Sequence, residues 1–502
     1  MEGLAAGLEI FSDPTTLVLI LLGTVAGVFV GALPGLTSGM AIALLLPFTI
    51  FLEPIPAIAL LSALYCAGTF GGSITAILIN APGAPPAAAT AFDGYPMAVK
   101  GEAGRALGIA AVSSACGGIF SLVILILAAP ALAHLAYQFG PPEYFALTVF
   151  GLSMLASISG KSALKNLLGG AAGVFIATIG VDLTTGVERY TFGRPELYEG
   201  IHFIPFLIGL FAMSELLIQS TRTHQILERI KMTAVLLPTR EDFRKVWKTI
   251  LRSSVIGTFV GVLPAEGGTV AAMIGYNEAK RWSKHGSKFG TGEIEGVAGP
   301  EAANNAATGG AMVPTLALGI PGSATAAVIL GGLQAQGLQP GPYLFEQQPT
   351  LLYAIFYSML LANIVFLGIG LGGAKLFSRI SLVPRTFLWP TVFALCVVGA
   401  YGVEQSMLGV YVMLIAGVIG FALRRYGFSP APIIMGLVLG KLVENSLAQS
   451  MIIFDQNWLL FFERPIVVLF FSLSLIGIFA APVAGLLRKT AKEPASTHSI
   501  EE

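Results

Sequence analysis

The sequence predicts an all-α integral membrane protein of about 11–13 transmembrane helices, laid out as two inverted repeats with broken helices and re-entrant hairpins. Three observations carry that expectation. Mean hydropathy is +0.80, 55% of residues are hydrophobic and only 11% are charged, well under the roughly 25% of a soluble domain. Apolar runs of spanning or near-spanning length follow one another along the chain. The octapeptide GVFVGALP at Gly27–Pro34 returns as GTFVGVLP at Gly257–Pro264, identical at six of eight positions across an offset of 230 residues.

In order, the apolar runs lie near residues 15–33, 38–52, 55–70, 105–130, 144–159, 165–181 and 204–219, then 250–275, 308–335, 350–376, 387–402, 406–423, 430–447 and 465–487. Several fall short of the ~20 residues that a full crossing needs, so some are expected to be half-helices or hairpins. Strand alternation is absent. The chain divides into a first transmembrane repeat (1–219), a basic cytoplasmic linker (220–249), a second repeat (250–487) and a disordered cytoplasmic tail (488–502).

The linker carries Arg222, Arg229, Lys231, Arg240, Arg244, Lys245 and Lys248 against Glu228, Glu241 and Asp242, which places it in the cytoplasm by the positive-inside rule. Arg424 with Arg425 and Arg488 with Lys489 are assigned there too. No lysine or arginine precedes Lys100, whereas Glu2, Glu9 and Asp13 precede the first run. One octapeptide is thus entered from an acidic flank and the other from a basic one, as inverted repeats would be. Lys280, Arg281, Lys284 and Lys288 oppose this orientation unless their segment turns back at its break. No cationic segment leads the first run, so no signal peptide is expected.

Each octapeptide ends in a helix breaker. Pro34 removes a backbone donor and Gly35 lets the chain turn; Thr37 and Ser38 can cap a new helix. Gly267, Gly268 and Thr269 follow Pro264 in the same role. A helix that starts inside the membrane aims unpaired N–H groups and roughly half a positive charge at whatever precedes it, which suits a carboxylate or phosphate. The competing reading is a proline kink filled by a neighbouring helix.

A second pair of breakers lies at Pro82-Gly83 and Pro321-Gly322. Each follows a Gly-Gly pair and an apolar stretch of eight to ten residues, too short to span and therefore read as a hairpin limb. Ser73, Thr75 and Asn80 in one copy, and Thr315, Ser323 and Thr325 in the other, offer oxygens there or pack between helices. Glu301, Asn304 and Asn305 fall within one helical turn, followed by Thr308. Asn304, Asn305 and Thr308, with Glu266 between Pro264 and Gly267, are the candidate coupling-ion ligands, because an intramembrane carboxylate is a functional hypothesis by default. Asp182 and Glu215 are expected to face water, and Lys441 with Glu444 to form an ion pair.

Net charge is zero, so nucleic acid is not an expected partner. The cysteines Cys66, Cys116 and Cys396 and the five histidines lack metal-ligand spacing, and no G-x-S-x-G, H-E-x-x-H or Walker motif occurs in a plausible setting. An enzyme is not expected. The energy source must be an ion gradient or another subunit. An ion channel with re-entrant pore loops is the alternative from the residues alone.

At this point a resemblance becomes specific. GALPGLTSGMAIALLLPFT (Gly31–Thr49), GTFGGSITAILINAPGAPP (Gly68–Pro86), AFDGYPMAVKGEAGRALG (Ala91–Gly108), GVLPAEGGT (Gly261–Thr269), GPEAANNAATGGAMVPTLALGIPGSATAA (Gly299–Ala327) and LQPGPYLF (Leu338–Phe345) resemble the large membrane subunit of tripartite tricarboxylate transporters. The similarity runs from about residue 15 to 487. It implies a bacterial inner-membrane secondary transporter for citrate-like or other carboxylates, driven by sodium or protons and without a cofactor. It also implies a small four-helix membrane subunit and a periplasmic solute-binding protein as partners; homodimerisation is left open. Combined with the breaks, it makes Pro34, Gly35, Thr37, Ser38, Asn80, Pro82, Gly83, Gly267, Gly268, Thr269, Pro321, Gly322 and Ser323 the candidate substrate-binding residues.

Overall fold

The computed structural model describes Gly7 and residues 11–157, 162–182, 184–221, 238–264, 267–372 and 385–490. Most of the linker (222–237), Glu266 and the last twelve residues of the tail lie outside the described residues. What is described is helical apart from one small ribbon.

The first half opens with α1 (Pro14–Gly31), α2 (Ser38–Thr49), α3 (Pro54–Ile79), α4 (Ala87–Val99), α5 (Ala103–Ala136), α6 (Pro141–Ser153) and α7 (Ala163–Ala177). The ribbon β1 (Gly180–Val181) and β2 (Glu188–Arg189) precedes α8 (Phe203–Thr221), whose middle widens into π-helix at Ile208–Met213. The second half contributes α9 (Arg240–Val262), α10 (Gly267–Trp282), α11 (Ile294–Leu318), α12 (Ala324–Ala335) and α13 (Pro349–Gly372). It closes with α14 (Arg385–Glu404), α15 (Met407–Arg425), α16 (Pro430–Ile453) and α17 (Pro465–Thr490). Among the described residues seven helices are long and apolar enough to cross a membrane, and five shorter apolar helices accompany them. The protein is an all-α, multi-pass membrane protein.

Local chemistry explains the ends. Asp13 caps α1 by accepting from the Thr15 and Thr16 amides at 3.0 Å, with Pro14 at the first helical position, where its missing N–H costs nothing. Thr239 and Asp242 form a reciprocal capping box on α9.

Packing depends on small residues rather than on polarity. Gly23, Gly27 and Gly31 put α1 against the backbone of α3, so that a Cβ at Gly31 would stand 2.4 Å from the Gly68 carbonyl. Gly257 and Gly261 do the same for α9 against α11, with Ala303 and Ala307 as neighbours. The opposite faces of these helices, Val25 and Phe29 on α1 and Val255 and Phe259 on α9, are exposed, as befits helices whose solvent is hydrocarbon. Every residue of α11 is buried; α5, α9, α10 and α4 enclose it. Helix α7 packs on α16, where a Cβ at Gly173 would meet the Ile433 carbonyl at 2.0 Å.

Two sequence expectations change. The apolar stretches after Gly71-Gly72 and Gly309-Gly310 are not separate short limbs but the last turns of the long helices α3 and α11. These glycine pairs do not break the helix; they admit a neighbour, Gly71 meeting Val28 O and Gly310 meeting Thr258 O. The ribbon was also unforeseen, since two-residue strands leave no alternating pattern to read.

Candidate functional site

Both octapeptides end in a break. Helix α1 stops at Gly31, the chain turns through Gly35 at φ +93°, and Thr37 caps α2 by accepting from the Met40 amide at 3.3 Å. Helix α9 stops at Val262 and α10 starts at Gly267. The other two breakers follow left-handed residues. Asn80 (φ 53°) ends α3 with its amide on Thr75 O, and Gly319 (φ 71°) ends α11 with its amide on Pro314 O. The turns that follow are seated on the breaks: a Cβ at Gly83 would lie 2.0 Å from Gly31 O, and one at Gly322 would lie 2.7 Å from Gly261 O.

The halves then meet crosswise. The start of α2 faces the start of α12, with a Cβ at Gly39 only 3.0 Å from Thr325 Oγ1. The start of α10 faces the turn before α4, with a Cβ at Gly268 only 3.3 Å from Pro86 Cγ. Ser323 caps α12 through the Ala326 amide at 3.1 Å and shares a 3.1 Å hydrogen bond with the Tyr65 hydroxyl.

These contacts border a half-open cavity of about 1090 Å³. Of the candidate substrate residues, Pro34, Gly35, Thr37, Ser38, Pro82, Gly83, Gly267, Gly268, Thr269 and Ser323 line it; Asn80, Pro321 and Gly322 do not. Asn304 and Thr308 line it as well, whereas Asn305 does not, and Glu266 lies outside the described residues. Asn305 is 1% exposed, and its side-chain amide has no hydrogen-bond partner among the described residues; Asn304 Oδ1 likewise has none. Glu301 is buried in α11 away from the cavity, accepting from Ser73, Thr90 and Ser114.

The N-termini of α2, α10 and α12 open on this space, as does that of α16, capped by Ser429. Each presents first-turn amides without intrahelical acceptors and roughly half a positive charge. The arrangement can therefore hold an anion with main-chain dipoles.

Sequence reasoning missed several lining residues. Glu215 does not face water: it is buried, accepts from Gln219 Nε2 at 2.7 Å and pairs with Arg424. The turn at Gly35 draws it in, because Gly35 packs on Glu215 and Gln219. Arg424, read as a loop cation, is the wall's own cation beside that acid. A glutamate at the end of an apolar run was the available signal. Tyr65 and Thr69 gave none, being ordinary residues for a membrane helix. Elsewhere, Glu444 pairs with Arg189 of the ribbon rather than with Lys441, which is exposed; the ribbon brings Arg189 and Asp182 within 3.4 Å of each other beside it.

Comparison with known proteins supports the resemblance. The model of the tripartite tricarboxylate transporter TctA family matches residues 17–435. An uncharacterized 52.8 kDa protein from the TAR-I ttuC' 3' region of Agrobacterium vitis is 38% identical over 486 residues, 96% of each chain. An uncharacterized protein from the TAR-II ttuC' 3' region of the same organism is 35% identical over 233 residues, 46% of this chain and 96% of its own. No solved structure matches. The chain belongs to the tripartite tricarboxylate transporter TctA family.

Proposed function

We propose that this chain is the large transport subunit of a secondary active carboxylate importer in a bacterial inner membrane. It works with a small four-helix membrane subunit and a periplasmic solute-binding protein. The halves before and after the linker are inverted repeats, and the turns at Pro82-Gly83 and Pro321-Gly322 are the tips of helix hairpins that border the cavity. A carboxylate occupies the central cavity against the first turns of α2, α10 and α12. Ser38, Thr269 and Ser323 supply hydroxyls, while Asn304 and Thr308 supply oxygens to the substrate or to a coupling sodium ion; a coupling proton needs a carboxyl instead. Displacement of the tip-bearing units against the remaining helices gives alternating access.

One observation carries this reading: helix N-termini from both halves converge on a single cavity. Anion capture by dipoles leaves few fixed charges to hold the cargo, and Arg424 is already neutralised by Glu215. Release is then as feasible as capture.

The test is uptake of a panel of labelled mono-, di- and tricarboxylates into proteoliposomes, under imposed sodium or proton gradients, with and without the cognate binding protein. Saturable, gradient-driven accumulation that requires the binding protein is expected. Non-saturating flux that never exceeds equilibrium would instead describe a channel.

A further inference from the structure

Glu301 sits two turns into α11, with 0% of its surface exposed. Ser73 of α3 and Thr90 of α4 donate to Oε1, and Ser114 of α5 donates to Oε2 at 2.7 Å. Hydroxyls satisfy the carboxyl's lone pairs but bring no charge, and among the described residues they are its hydrogen-bond partners. Removing an unpaired carboxylate from water costs several kcal/mol even after the protein relaxes. A proton on the carboxyl removes that cost.

We propose that Glu301 is the coupling-proton site of the transporter. The site can change state without moving a heavy atom: Oε2 carries a single hydroxyl, and a serine oxygen can accept a hydrogen bond as well as donate one. A sodium ion fits less well, because the hydroxyls press directly on the carboxylate oxygens, whereas a coordinated cation would stand between them. The inference deepens the carrier reading and rests on it for its link to transport.

That link is visible in the path of the chain. Ser73 follows Gly72, whose carbonyl accepts the Gly83 amide at 3.1 Å. Thr90 lies in the first turn of α4, immediately after the Ala81–Pro86 turn. Glu301 therefore grips both legs of a turn that lines the cavity, and Asn304, one helical turn further along α11, lines it too. Ionising or protonating Glu301 changes how firmly that turn is held.

The other ionisable groups around α11 are engaged elsewhere. Asp93 of α4 accepts from the Gly290, Gly292 and Glu293 amides and from the Tyr276 hydroxyl of α10. Arg105 of α5 pairs with Asp242 of α9 and with Glu102. Lys245 of α9 pairs with Glu293, and Glu295 accepts from Thr249 and Ser283. Tyr65 of α3 bonds Ser323 at the cavity; Cys66 on α3 and Cys116 on α5 carry no charge while protonated.

The experiment pairs two readouts. Infrared difference spectra of the purified chain in lipid, taken across a pH titration, should contain a protonated-carboxyl band that Glu301→Gln removes and Ser114→Ala shifts. This needs no substrate, so it stands or falls separately from the carrier reading. In proteoliposomes with whichever carboxylate the panel identifies, one unit of imposed pH gradient should give about tenfold accumulation per coupled proton. Glu301→Gln should abolish accumulation while retaining counterflow exchange. A titrating band unchanged in Glu301→Gln would overturn the assignment. So would accumulation by that variant, or wild-type accumulation driven by sodium alone.

Discussion

The turns at Asn80–Pro86 and Gly319–Ser323 share a scaffold and differ in chemistry. Each follows a helix closed by a left-handed residue, and each seats a glycine on the carbonyl of the broken helix beside it, Gly31 for one and Gly261 for the other. Beyond that they diverge. In the first, Gly83 N–H is held by a backbone carbonyl, α4 starts with no side-chain cap, and the wall offered to the cavity is Ala81, Pro82, Gly83, Ala84, Pro85 and Pro86. In the second, Gly322 N–H is held by the Thr315 hydroxyl, Ser323 caps α12, and the wall offered is Ser323, Ala324 and Thr325. The buried acid Glu301 holds the legs of the first turn only. One scaffold used twice thus supplies a hydroxyl-bearing, capped wall on one side and a proline-rich wall tied to an ionisable group on the other. The division fits the proposed carrier, in which one wall would recognise the cargo and the other would couple it to an ion.

The largest effect should come from breaking what the turns share. Gly83→Val sets a Cβ 2.0 Å from a backbone carbonyl, and Gly322→Val sets one 2.6 Å from Ala311 Cα. Each should lower uptake about 100-fold, the equivalent of roughly 3 kcal/mol of overpacking, while size-exclusion profiles of the detergent-purified variants keep a single folded peak. Normal uptake by either variant would remove that turn from the mechanism.

Next comes the wall that both turns face. Arg424→Ala leaves Glu215 buried and unpaired, so the thermal melt should show a loss of about 3 kcal/mol. Adding Glu215→Gln should recover at least half of it, because the uncompensated charge is then gone. Additive losses in the double variant would mean that the pair is not coupled.

Smaller effects sharpen the difference between the turns. Ser323→Ala removes a cap worth about 1 kcal/mol and should raise KM several-fold with little change in maximal rate. Tyr65→Phe removes one neutral hydrogen bond, about 0.5 kcal/mol, and its effect should disappear in the Ser323→Ala background. Independent effects would show that the Tyr65–Ser323 contact does not shape the site.

Much of this is legible in the sequence, for physical reasons. Proline and glycine act locally, so Pro34, Gly35, Pro82 and Gly83 announced their turns in the sequence, and a repeated octapeptide announced that the turns come in corresponding places. Thr37 was legible as a cap at a helix start, whereas Ser323 read only as an oxygen at a turn. What escaped depends on which helices meet. Glu215 reads as an acid at the edge of an apolar run until Gly35 and Arg424 are placed beside it. Glu301 shares a turn with Asn304 and Asn305, yet its partners Ser73, Thr90 and Ser114 lie on three other helices, and its side faces away from the cavity. The glycine pairs at 71–72 and 309–310 misled because a glycine that admits a neighbouring backbone looks the same in sequence as one that ends a helix.

In the proposed carrier, main-chain dipoles from both halves hold a carboxylate in one shared cavity. The most direct measurement is a cryo-electron microscopy map of the protein in lipid nanodiscs with saturating carboxylate, at a resolution that defines the ligand. Ligand density is expected in the shared cavity, its carboxylate oxygens about 3 Å from first-turn amides of α2 and α12 and from Ser323 Oγ. Density bound elsewhere, or a carboxylate held by side-chain cations with those amides turned away, would contradict it.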